Sequence, residues 1–455
     1  MLRATCYMLQ KNKIMEDAYR IQGGKKLVGE VKLSGAKNAA LKMVIGALMF
    51  EGKVTLKNVP RIRDLDELLH LFTELGATAE FIEENTVVID GAGLKSNTVD
   101  LLHGSKIRST FLLFAPLLKK FKEAHIPNPG GCRIGARPID RIMNGLKELG
   151  GIVEYDHTTG YYHAKLPSKT HGAYTFEKPS HTGTEFMIML SLFSEGTVHI
   201  HNAALEPEID DLISFFNEGG AKIHREGTSI FVEGVTSLTQ NIPYTIVSDR
   251  NEAVTFAVLG LITQGDVTVG PINPHLLDVF VSTVKKCGGG VEVVGKDKVR
   301  FYYAGPMKAT HIETEPHPGF MTDWQQNWVV LMTQAEGIST VHERVFENRF
   351  AFVCELQKLG AKIEFDGTPV PNPKEYYHFT YSPEKKYNQA IKIFGPQQLH
   401  SGVLTVTDLR AGATLAIAAL LVPGESIVNG VSILERGYEK FVEKVIKLGG
   451  AIKRI

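Results

Sequence analysis

The stretch Pro129-Gly130-Gly131-Cys132-Arg133-Ile134-Gly135-Ala136-Arg137-Pro138-Ile139-Asp140 leads into an amphipathic run that ends at Leu149-Gly150-Gly151. The glycines at its start predict a pliable loop, because glycine alone adopts positive φ without steric cost. The run after the loop has apolar residues at helical spacing, and a glycine is the usual residue just after a helix. A helix closed by glycine and followed by a strand is the unit that organises the whole chain.

This unit recurs six times. The closing glycines lie at 76, 150, 220, 288, 360 and 449, at spacings of 74, 70, 68, 72 and 89 residues. A spacing of roughly 70 residues is longer than the roughly 20–50 of solenoid repeats and suits a βαβαββ unit. We predict an α/β protein of six such repeats, three in each of two lobes, with the chain crossing between the lobes near residues 25–37 and 248–250.

The predicted domains follow from these crossings. Residues 19–36 and 250–455 form the first lobe, and residues 37–249 form the second lobe with the Cys132 loop. Residues 1–18 are expected to be a disordered N-terminal extension; alternatively, Met15 is the real start of the protein. A Pro-, Tyr- and Lys-rich stretch at about 366–399 lengthens the last interval. We interpret it as a surface insertion, and we expect a short linker in place of residues 371–386 to leave activity largely intact.

Composition excludes several classes of protein. Of 455 residues, 43% are hydrophobic and 22% charged, and the 50 basic residues balance the 50 acidic ones. This balance argues against a nucleic-acid or membrane-surface protein. The four cysteines have no CxxC spacing, which favours neither disulfides nor zinc. Cys287 and Cys354 lie in apolar helical stretches and are expected to react slowly. No apolar run reaches the roughly 18 residues of a membrane span, and the N-terminus lacks a signal-peptide pattern, so a cytoplasmic protein is expected.

Cys132 is the first candidate for chemistry. A thiol between Arg133 and Arg137, close to a helix start, is expected to have a lowered pKa and therefore a larger thiolate fraction. The same amides and guanidinium groups suit a bound anion. The alternative is a glycine-rich turn that holds an inert cysteine.

The openings of the repeats carry further candidates. If several helix N-termini meet in one cleft, their amides and the cations beside them favour an anion. The cationic set is Lys37, Arg108, Arg137, Arg410 and Arg436. Each arginine alone could equally form a surface ion pair. Asp323 and Asp408 are candidate acids or bases, but either of them, or Thr322, could merely cap a helix. His181 and His317 are weaker candidates, since a loop histidine is more often simply hydrogen-bonded.

Seven motifs together resemble the family of UDP-N-acetylglucosamine enolpyruvyl transferases. They are LSGAKNAAL (33–41), PGGCRIGARPID (129–140), EPEI (206–209), PGFMTDWQ (318–325), ENRF (347–350), TDLRAGATL (407–415) and ERGYE (435–439). The resemblance extends from about residue 19 to residue 455. It implies an inside-out α/β barrel of two lobes with the active site between them. It also implies transfer of the enolpyruvyl group of phosphoenolpyruvate to the 3′-hydroxyl of UDP-N-acetylglucosamine, in the first committed step of peptidoglycan synthesis, with no metal and no organic cofactor.

The resemblance also implies roles for individual residues. Lys37, Arg137 and Arg436 hold phosphoenolpyruvate with Arg410 nearby, Cys132 protonates its C3 and can form a covalent adduct, and Asp323 takes the hydroxyl proton. The predicted nucleotide-sugar residues are Asn38, Arg108, Pro138, Ile139, Asp140, Lys178, Val345 and Asp408. The segment Lys178-Pro179-Ser180-His181-Thr182 departs from the family, which has small apolar residues and a glycine after the lysine.

Three other functions compete with this one. A shikimate-pathway enolpyruvyl transferase shares the fold and chemistry, but the PGGC and GARPID segments argue against it. A secondary-metabolism enolpyruvyl transferase acting on a related nucleotide sugar stays open. An inactive scaffold is expected to have lost Cys132, Asp323 or an arginine, and none is lost. We expect no nucleic-acid or membrane partner, and a monomer or a weak homo-oligomer.

Overall fold

The computed structural model describes residues 17–130, 139–367 and 369–455. Its α-helices are α1 (Lys37–Ala47), α2 (Arg63–Leu75), α3 (Leu101–Gly104), α4 (Phe114–Phe121), α5 (Asp140–Glu148), α6 (His181–Ser191), α7 (Pro207–Glu218), α8 (Arg250–Ile262), α9 (Asp278–Lys286), α10 (Gln325–Met332), α11 (Val353–Lys358), α12 (Pro373–Tyr376), α13 (Leu409–Leu421) and α14 (Phe441–Lys447). Short 3₁₀ helices span Arg108–Leu113, Pro274–Leu277 and Leu434–Arg436. Among the described helices, none is both long enough and apolar enough to cross a membrane.

The strands alternate with these helices. They are β1 (Ala18–Gly23), β2 (Val28–Lys32), β3 (Lys53–Lys57), β4 (Thr78–Glu83), β5 (Thr86–Asp90), β6 (Glu123–Pro127), β7 (Ile152–Asp156), β8 (Tyr161–Lys165), β9 (Ala173–Thr175), β10 (Thr197–His201), β11 (Lys222–Glu226), β12 (Ser229–Glu233), β13 (Tyr244–Thr245), β14 (Asp266–Gly270), β15 (Gly290–Val294), β16 (Lys298–Tyr302), β17 (His311–Glu313), β18 (Gly337–His342), β19 (Ile363–Phe365), β20 (Ala390–Gly395), β21 (Val403–Thr405), β22 (Gly424–Asn429) and β23 (Ala451–Arg454). The result is a mixed α/β protein.

The described strands form six small sheets with one common plan. Their orders are β13-β3-β5-β4, β6-β8-β7, β9-β10-β12-β11, β2-β14-β16-β15, β17-β18-β20-β19 and β21-β22-β1-β23. In five of them the first strand is parallel to the second and the other pairings are antiparallel. In the three-stranded sheet a parallel bridge between Thr98 and His125 takes the place of the first strand. Strand β1 completes the C-terminal sheet, and β2 and β13 complete sheets whose other strands lie elsewhere in the chain.

The six closing glycines share one backbone conformation. Their φ angles lie between 89° and 97°, a region that side chains with a Cβ strongly disfavour. At each of them the next residue's amide bonds back to a carbonyl in the last helical turn, as from Ala77 to Phe72 at 2.9 Å and from Gly450 to Val445 at 3.0 Å. This is the Schellman geometry expected of a glycine that closes a helix. The sequence-based prediction of these six helix ends is therefore confirmed.

The buried apolar residues fall into two clusters. One gathers residues between Ala36 and Ile246, and the other gathers Tyr19 to Leu33 with Ala253 to Ile452. Helices α1, α6, α8, α10 and α13 are buried along nearly their whole length, which explains why they are apolar on every side. Three of them, α1, α10 and α13, begin within the motifs 33–41, 318–325 and 407–415.

Two details of the sequence-based prediction were wrong. The insertion does not extend to residue 399, because β20 pairs with β18 and buries Ile391 and Ile393 completely. The excursion therefore ends before residue 390, and the missed strand signal was the pair of β-branched residues Ile391 and Ile393 on either side of Lys392. Cys287 is buried as expected, but Cys354 is exposed on α11.

Candidate active site

One carboxylate holds two of the predicted phosphoenolpyruvate ligands together. Asp64 near the start of α2 places Oδ2 2.7 Å from the Lys37 ammonium and Oδ1 2.6 Å from Nε of Arg436. Asp64 is buried, whereas Lys37 and Arg436 keep part of their surface exposed. Two cations that share one carboxylate leave net positive charge at the surface, which suits a small anion.

Two buried helices begin at this point. The Lys37 amide donates to Oδ2 of Asp249 at 3.3 Å, while Oδ1 of Asp249 caps α8 by accepting from Asn251 and Glu252. Residue 35, just before α1, has to be glycine because a Cβ there would lie 1.7 Å from the Asn58 carbonyl oxygen. The N-termini of α1 and α8 thus meet beside the Lys37 cluster.

Asp323 is held by two arginines. Its Oδ1 lies 2.7 Å from Arg349 Nη2 and its Oδ2 lies 3.1 Å from Arg410 Nε. Burial alone would raise the pKa of Asp323, but the two guanidinium groups outweigh burial and hold that pKa well below its usual range. Asp323 is not a helix cap, because α10 begins at Gln325 with Trp324 in the cap position. The cap interpretation of Asp323 was therefore wrong, and its carboxylate is ionised at any physiological pH.

Arg349 extends this network to the loop around Val345. Its Nη1 donates to Thr322 Oγ1 at 2.6 Å, and Thr322 in turn donates to Glu343 Oε2 at 2.7 Å. The other oxygen of Glu343 accepts from the amides of Val345 and Phe346 at 2.7 and 2.9 Å. Val345, the residue predicted beside the sugar, is thus linked to Asp323 through three side chains. The sequence had singled out the ENRF motif without assigning a role to Arg349.

Asp408 and Arg410 open α13 in different ways. Oδ1 of Asp408 accepts from the amides of Arg410 and Ala411, both at 3.0 Å, so Asp408 is the helix cap that had been weighed against a binding role. The Arg410 guanidinium lies 5.4 Å from the ring centroid of Tyr438. Burial would lower the pKa of Arg410, but Tyr438 and Asp323 raise it. Within the described part of the chain, Nη1 of Arg410 is buried without an acceptor, which leaves this NH₂ group for a substrate oxygen.

The predicted nucleotide-sugar residues lie at several helix starts. Asp140 is the first residue of α5 after the buried Ile139, Arg108 opens a 3₁₀ helix, and Asn38 is the second residue of α1. Lys178 lies before α6, where its ammonium donates to the carbonyl oxygens of Lys374, Tyr377 and Phe379 at 2.8, 2.5 and 3.1 Å. Cys132, Arg133, Arg137 and Pro138 lie outside the described residues, as does Cys6.

His317 belongs to a buried ion-pair network. Glu208 of the EPEI motif accepts two hydrogen bonds from Arg250, at 3.0 and 2.9 Å, and Nη1 of Arg250 lies 3.1 Å from Nδ1 of His317. Burial would raise the pKa of Glu208, but Arg250 and His181 lower it to about 2. Burial and Arg250 lower the pKa of His317 to about 4. These contacts connect the two apolar clusters, since Glu208 lies in the first and Arg250 opens a helix of the second.

His181 lies in a second buried network. Its Nε2 is 3.1 Å from Glu185 one turn along α6, and the other Glu185 oxygen is 3.1 Å from the Lys42 ammonium. Burial would lower the pKa of His181, but Glu185 outweighs burial and raises it. His181 is thus the first residue of α6 and not a loop residue, and its ring lies at ion-pair distance from Glu185 of the same helix.

The sequence is similar to proteins of known family along nearly its whole length. Residues 21–445 match the family model described as EPSP synthase (3-phosphoshikimate 1-carboxyvinyltransferase). The UDP-N-acetylglucosamine 1-carboxyvinyltransferase of Desulfosudis oleivorans is 36% identical over 440 residues, which cover 96% of this chain and 99% of that protein. The protein of the same name from Psychromonas ingrahamii is 38% identical over 441 residues, with the same coverage.

Two solved structures share the fold. The enolpyruvyl transferase NikO from Streptomyces tendae superposes with a TM-score of 0.84 at 23% identity, and an EPSP synthase from Acinetobacter baumannii superposes with a TM-score of 0.70 at 17% identity. Each alignment covers 96% of this chain and 99% of the other. With a matching family model and relatives above one third identity along nearly its whole length, the chain belongs to the EPSP synthase family of enolpyruvyl transferases.

Proposed function

We propose that the protein transfers the enolpyruvyl group of phosphoenolpyruvate to the 3′-hydroxyl of UDP-N-acetylglucosamine and releases phosphate, the first committed step of peptidoglycan synthesis. The observation that carries this proposal is the identity of 36–38% to UDP-N-acetylglucosamine 1-carboxyvinyltransferases along 96% of the chain. Both substrates are water-soluble phosphate esters, and we place the reaction in the cytoplasm.

The anion-binding part of the site supports this function. Lys37 and Arg436 converge on Asp64, and the buried Nη1 of Arg410 has no acceptor among the described residues. These three cations bind the phosphate and carboxylate groups of phosphoenolpyruvate, with Arg137 as a fourth. Arginine suits this task because its planar fork matches both anions.

The chemistry is an addition followed by an elimination. Cys132 gives a proton to C3 of phosphoenolpyruvate while the acceptor oxygen adds to C2, and Asp323 accepts the hydroxyl proton. The resulting tetrahedral ketal then loses phosphate and a proton from C3, which restores the double bond. Asp323 is a weak base by pKa, so its contribution depends on direct contact with the hydroxyl. Closure around the substrates excludes water from the oxocarbenium-like centre.

The nucleotide-sugar occupies the other end of the site. Asn38, Arg108, Arg137, Asp323 and Val345 contact the sugar and its phosphates, and Pro138, Ile139 and Asp140 line the uridine. Asp408 contributes by fixing the start of α13, where Arg410 lies. Lys178 is placed at the edge of this region.

The finer architecture is also part of the proposal. Six βαβαββ repeats form two lobes of an inside-out α/β barrel, with residues 37–249 in one lobe and residues 17–36 and 250–455 in the other. The extension does not include Asp17 and Ala18, because Ala18 pairs with Asn429 in β1 and Asp17 accepts hydrogen bonds from Ser432. The two apolar clusters and the common plan of the six sheets support this arrangement.

The proposal is tested by incubating the protein with phosphoenolpyruvate and UDP-N-acetylglucosamine and searching for the product by mass spectrometry. The expected product is the enolpyruvyl ether of the nucleotide-sugar. Failure to form it in the presence of both substrates would overturn the proposal.

A further inference from the structure

Residues 372–381 of the insertion, called the strap below, connect the two apolar clusters. The strap contains α12 and is buried at Tyr377 and Phe379. The strap lies between β19 and β20, which belong to a sheet of the second cluster. It nevertheless contacts two side chains on the side of the first cluster, Lys178 just before α6 and Arg141 in α5. A solvated surface loop would not make these contacts.

Lys178 holds the strap from the side of the first cluster. Its ammonium donates to three strap carbonyl oxygens, those of Lys374, Tyr377 and Phe379, at 2.8, 2.5 and 3.1 Å. An ammonium has three N–H donors, so all the donors of Lys178 are used by the strap. Arg141 adds a bond of 3.5 Å from Nη2 to the His378 carbonyl oxygen.

The strap is anchored equally firmly on the side of the second cluster. Nε and Nη2 of Arg344 donate to the Tyr376 carbonyl oxygen at 3.1 and 3.0 Å, and the guanidinium lies over the Tyr376 ring. Nε2 of His378 lies 2.5 Å from Glu315, and the two nitrogens of His342 contact the hydroxyls of Tyr376 and Tyr377 at 3.2 and 3.1 Å. These contacts fix the strap to the second cluster. Lys178 and Arg141, on the side of the first cluster, therefore bind a segment whose position is already set.

The anchors of the strap are chain neighbours of the proposed nucleotide-sugar residues. Arg141 follows Asp140 directly, and Arg344 directly precedes Val345. A strap that joins Arg141 and Lys178 to Arg344 therefore fixes the distance between the two sides of that site. This is a role in positioning, because no strap residue has to touch the substrate.

We propose that Lys178 is a positioning residue that acts through the strap, and that the clasped strap sets the affinity for the nucleotide-sugar. The inference rests on the proposed function. It differs from direct contact between Lys178 and the nucleotide, because an ammonium with three carbonyl acceptors has no N–H left for a substrate oxygen.

A double-mutant cycle separates the two roles. Lys178→Met removes the three hydrogen bonds and keeps the apolar stem, and a Gly-Ser linker in place of residues 371–386 removes the strap. Each change is expected to raise KM for UDP-N-acetylglucosamine about tenfold, as the loss of a charged hydrogen-bonded contact would. For the linker variant, the contacts of Lys178 replace the earlier expectation from composition that activity stays largely intact. KM for phosphoenolpyruvate is expected to change much less. Combining the changes is expected to raise KM no further, because both remove the same clasp.

Matched variants control the cycle. Lys374→Ala changes an exposed strap side chain and keeps the carbonyl that Lys178 uses, and Lys169→Met removes an exposed lysine; both are expected to behave as wild type. If the linker variant does not fold, His378→Ala replaces it, since it removes the contact with Glu315 at constant chain length. Hydrogen exchange of residues 372–381 without substrate is expected to rise in Lys178→Met.

Each result decides the matter. If the double variant raises KM by the product of the two single effects, Lys178 binds the nucleotide itself. If KM is unchanged in both single variants, the strap has no role in binding. Either result overturns this inference and leaves the proposed function standing. Unchanged hydrogen exchange in Lys178→Met would do the same. A wild-type protein without turnover would instead overturn the proposed function, and this inference with it.

Discussion

Asp64 and Arg436 face each other between the two apolar clusters, with 2.6 Å from Oδ1 of the carboxylate to Nε of the guanidinium. The two residues are 372 positions apart in the chain, and Lys37 joins them on the other carboxylate oxygen. Asp64 thus lies between two of the cations that we propose as ligands of phosphoenolpyruvate. The shared carboxylate of Asp64 reduces the electrostatic repulsion between the two cations and so allows them to lie close together.

Removing this carboxylate charge is expected to strengthen the binding of small anions. In Asp64→Asn the amide keeps the size of the side chain, and Lys37 and Arg436 lose their counter-charge. We expect the dissociation constant for inorganic phosphate to fall on the order of tenfold, which corresponds to about 1.4 kcal/mol. Titration calorimetry measures it, with Asp66→Asn on the exposed face of α2 as the control. Weaker phosphate binding would show instead that Asp64 is needed to keep the cations in position.

Asp323→Asn is expected to fold and to lose most turnover. General base catalysis contributes roughly 10²–10⁴-fold, and the amide cannot accept the hydroxyl proton. Because the pKa of Asp323 is held far below its usual range, the wild-type rate is expected to show no protonation of this residue between pH 5 and pH 8. Steady-state kinetics and thermal unfolding check both points, with Asp278→Asn as an exposed control. Near-normal turnover of Asp323→Asn would assign this carboxylate to holding Arg349 and Arg410 only.

The helix ends, and the pairing of Lys37 with Arg436, could be predicted from the sequence because their signals are local. A glycine after an amphipathic helical run indicates the end of that helix, and Lys37 and Arg436 lie within recognisable motifs. Asp64 could not be singled out, since an acidic residue in the first turn of a helix already has a reason to be there. Its role appears only when segments from both ends of the chain come together.

The same limit applies to the ion pairs. Arg349 and Glu208 lie within quoted motifs, but their partners Asp323 and Arg250 are 26 and 42 residues away. The insertion was misjudged for a different reason: its Pro, Tyr and Lys content is typical of a solvated loop, and composition does not reveal that its carbonyl oxygens surround Lys178.

His317 is expected to make the protein less stable in acid. Its pKa is lowered to about 4 in the folded protein, mainly by burial and then by Arg250, against about 6.5 when unfolded. The neutral ring is favoured in the folded state, so this contribution is complete above pH 6.5 and is lost as the pH falls toward 4. Urea unfolding at pH 7 and pH 5 is expected to show a smaller difference in unfolding free energy for His317→Gln than for wild type. Equal differences would remove His317 from the acid response.

Cys132 is expected to be the target of an epoxide that carries a phosphonate. The phosphonate imitates the anion of phosphoenolpyruvate, so Lys37, Arg410 and Arg436 direct it to the site. The reaction is expected to be faster with UDP-N-acetylglucosamine present. Burial raises the pKa of Cys287, which should stay unmodified, whereas the exposed Cys354 should react with a neutral alkylating agent but not with the epoxide. Peptide mapping decides this, and epoxide labelling spread over all the cysteines would contradict it.

The central claim concerns the acceptor, and one measurement tests it most directly. Phosphate release from phosphoenolpyruvate is followed with UDP-N-acetylglucosamine, with shikimate 3-phosphate, and with neither, in the presence of a chelator. We expect phosphate release with UDP-N-acetylglucosamine and none in the other two conditions. We expect the chelator to have no effect on the rate. Turnover with shikimate 3-phosphate and none with the nucleotide-sugar would contradict it.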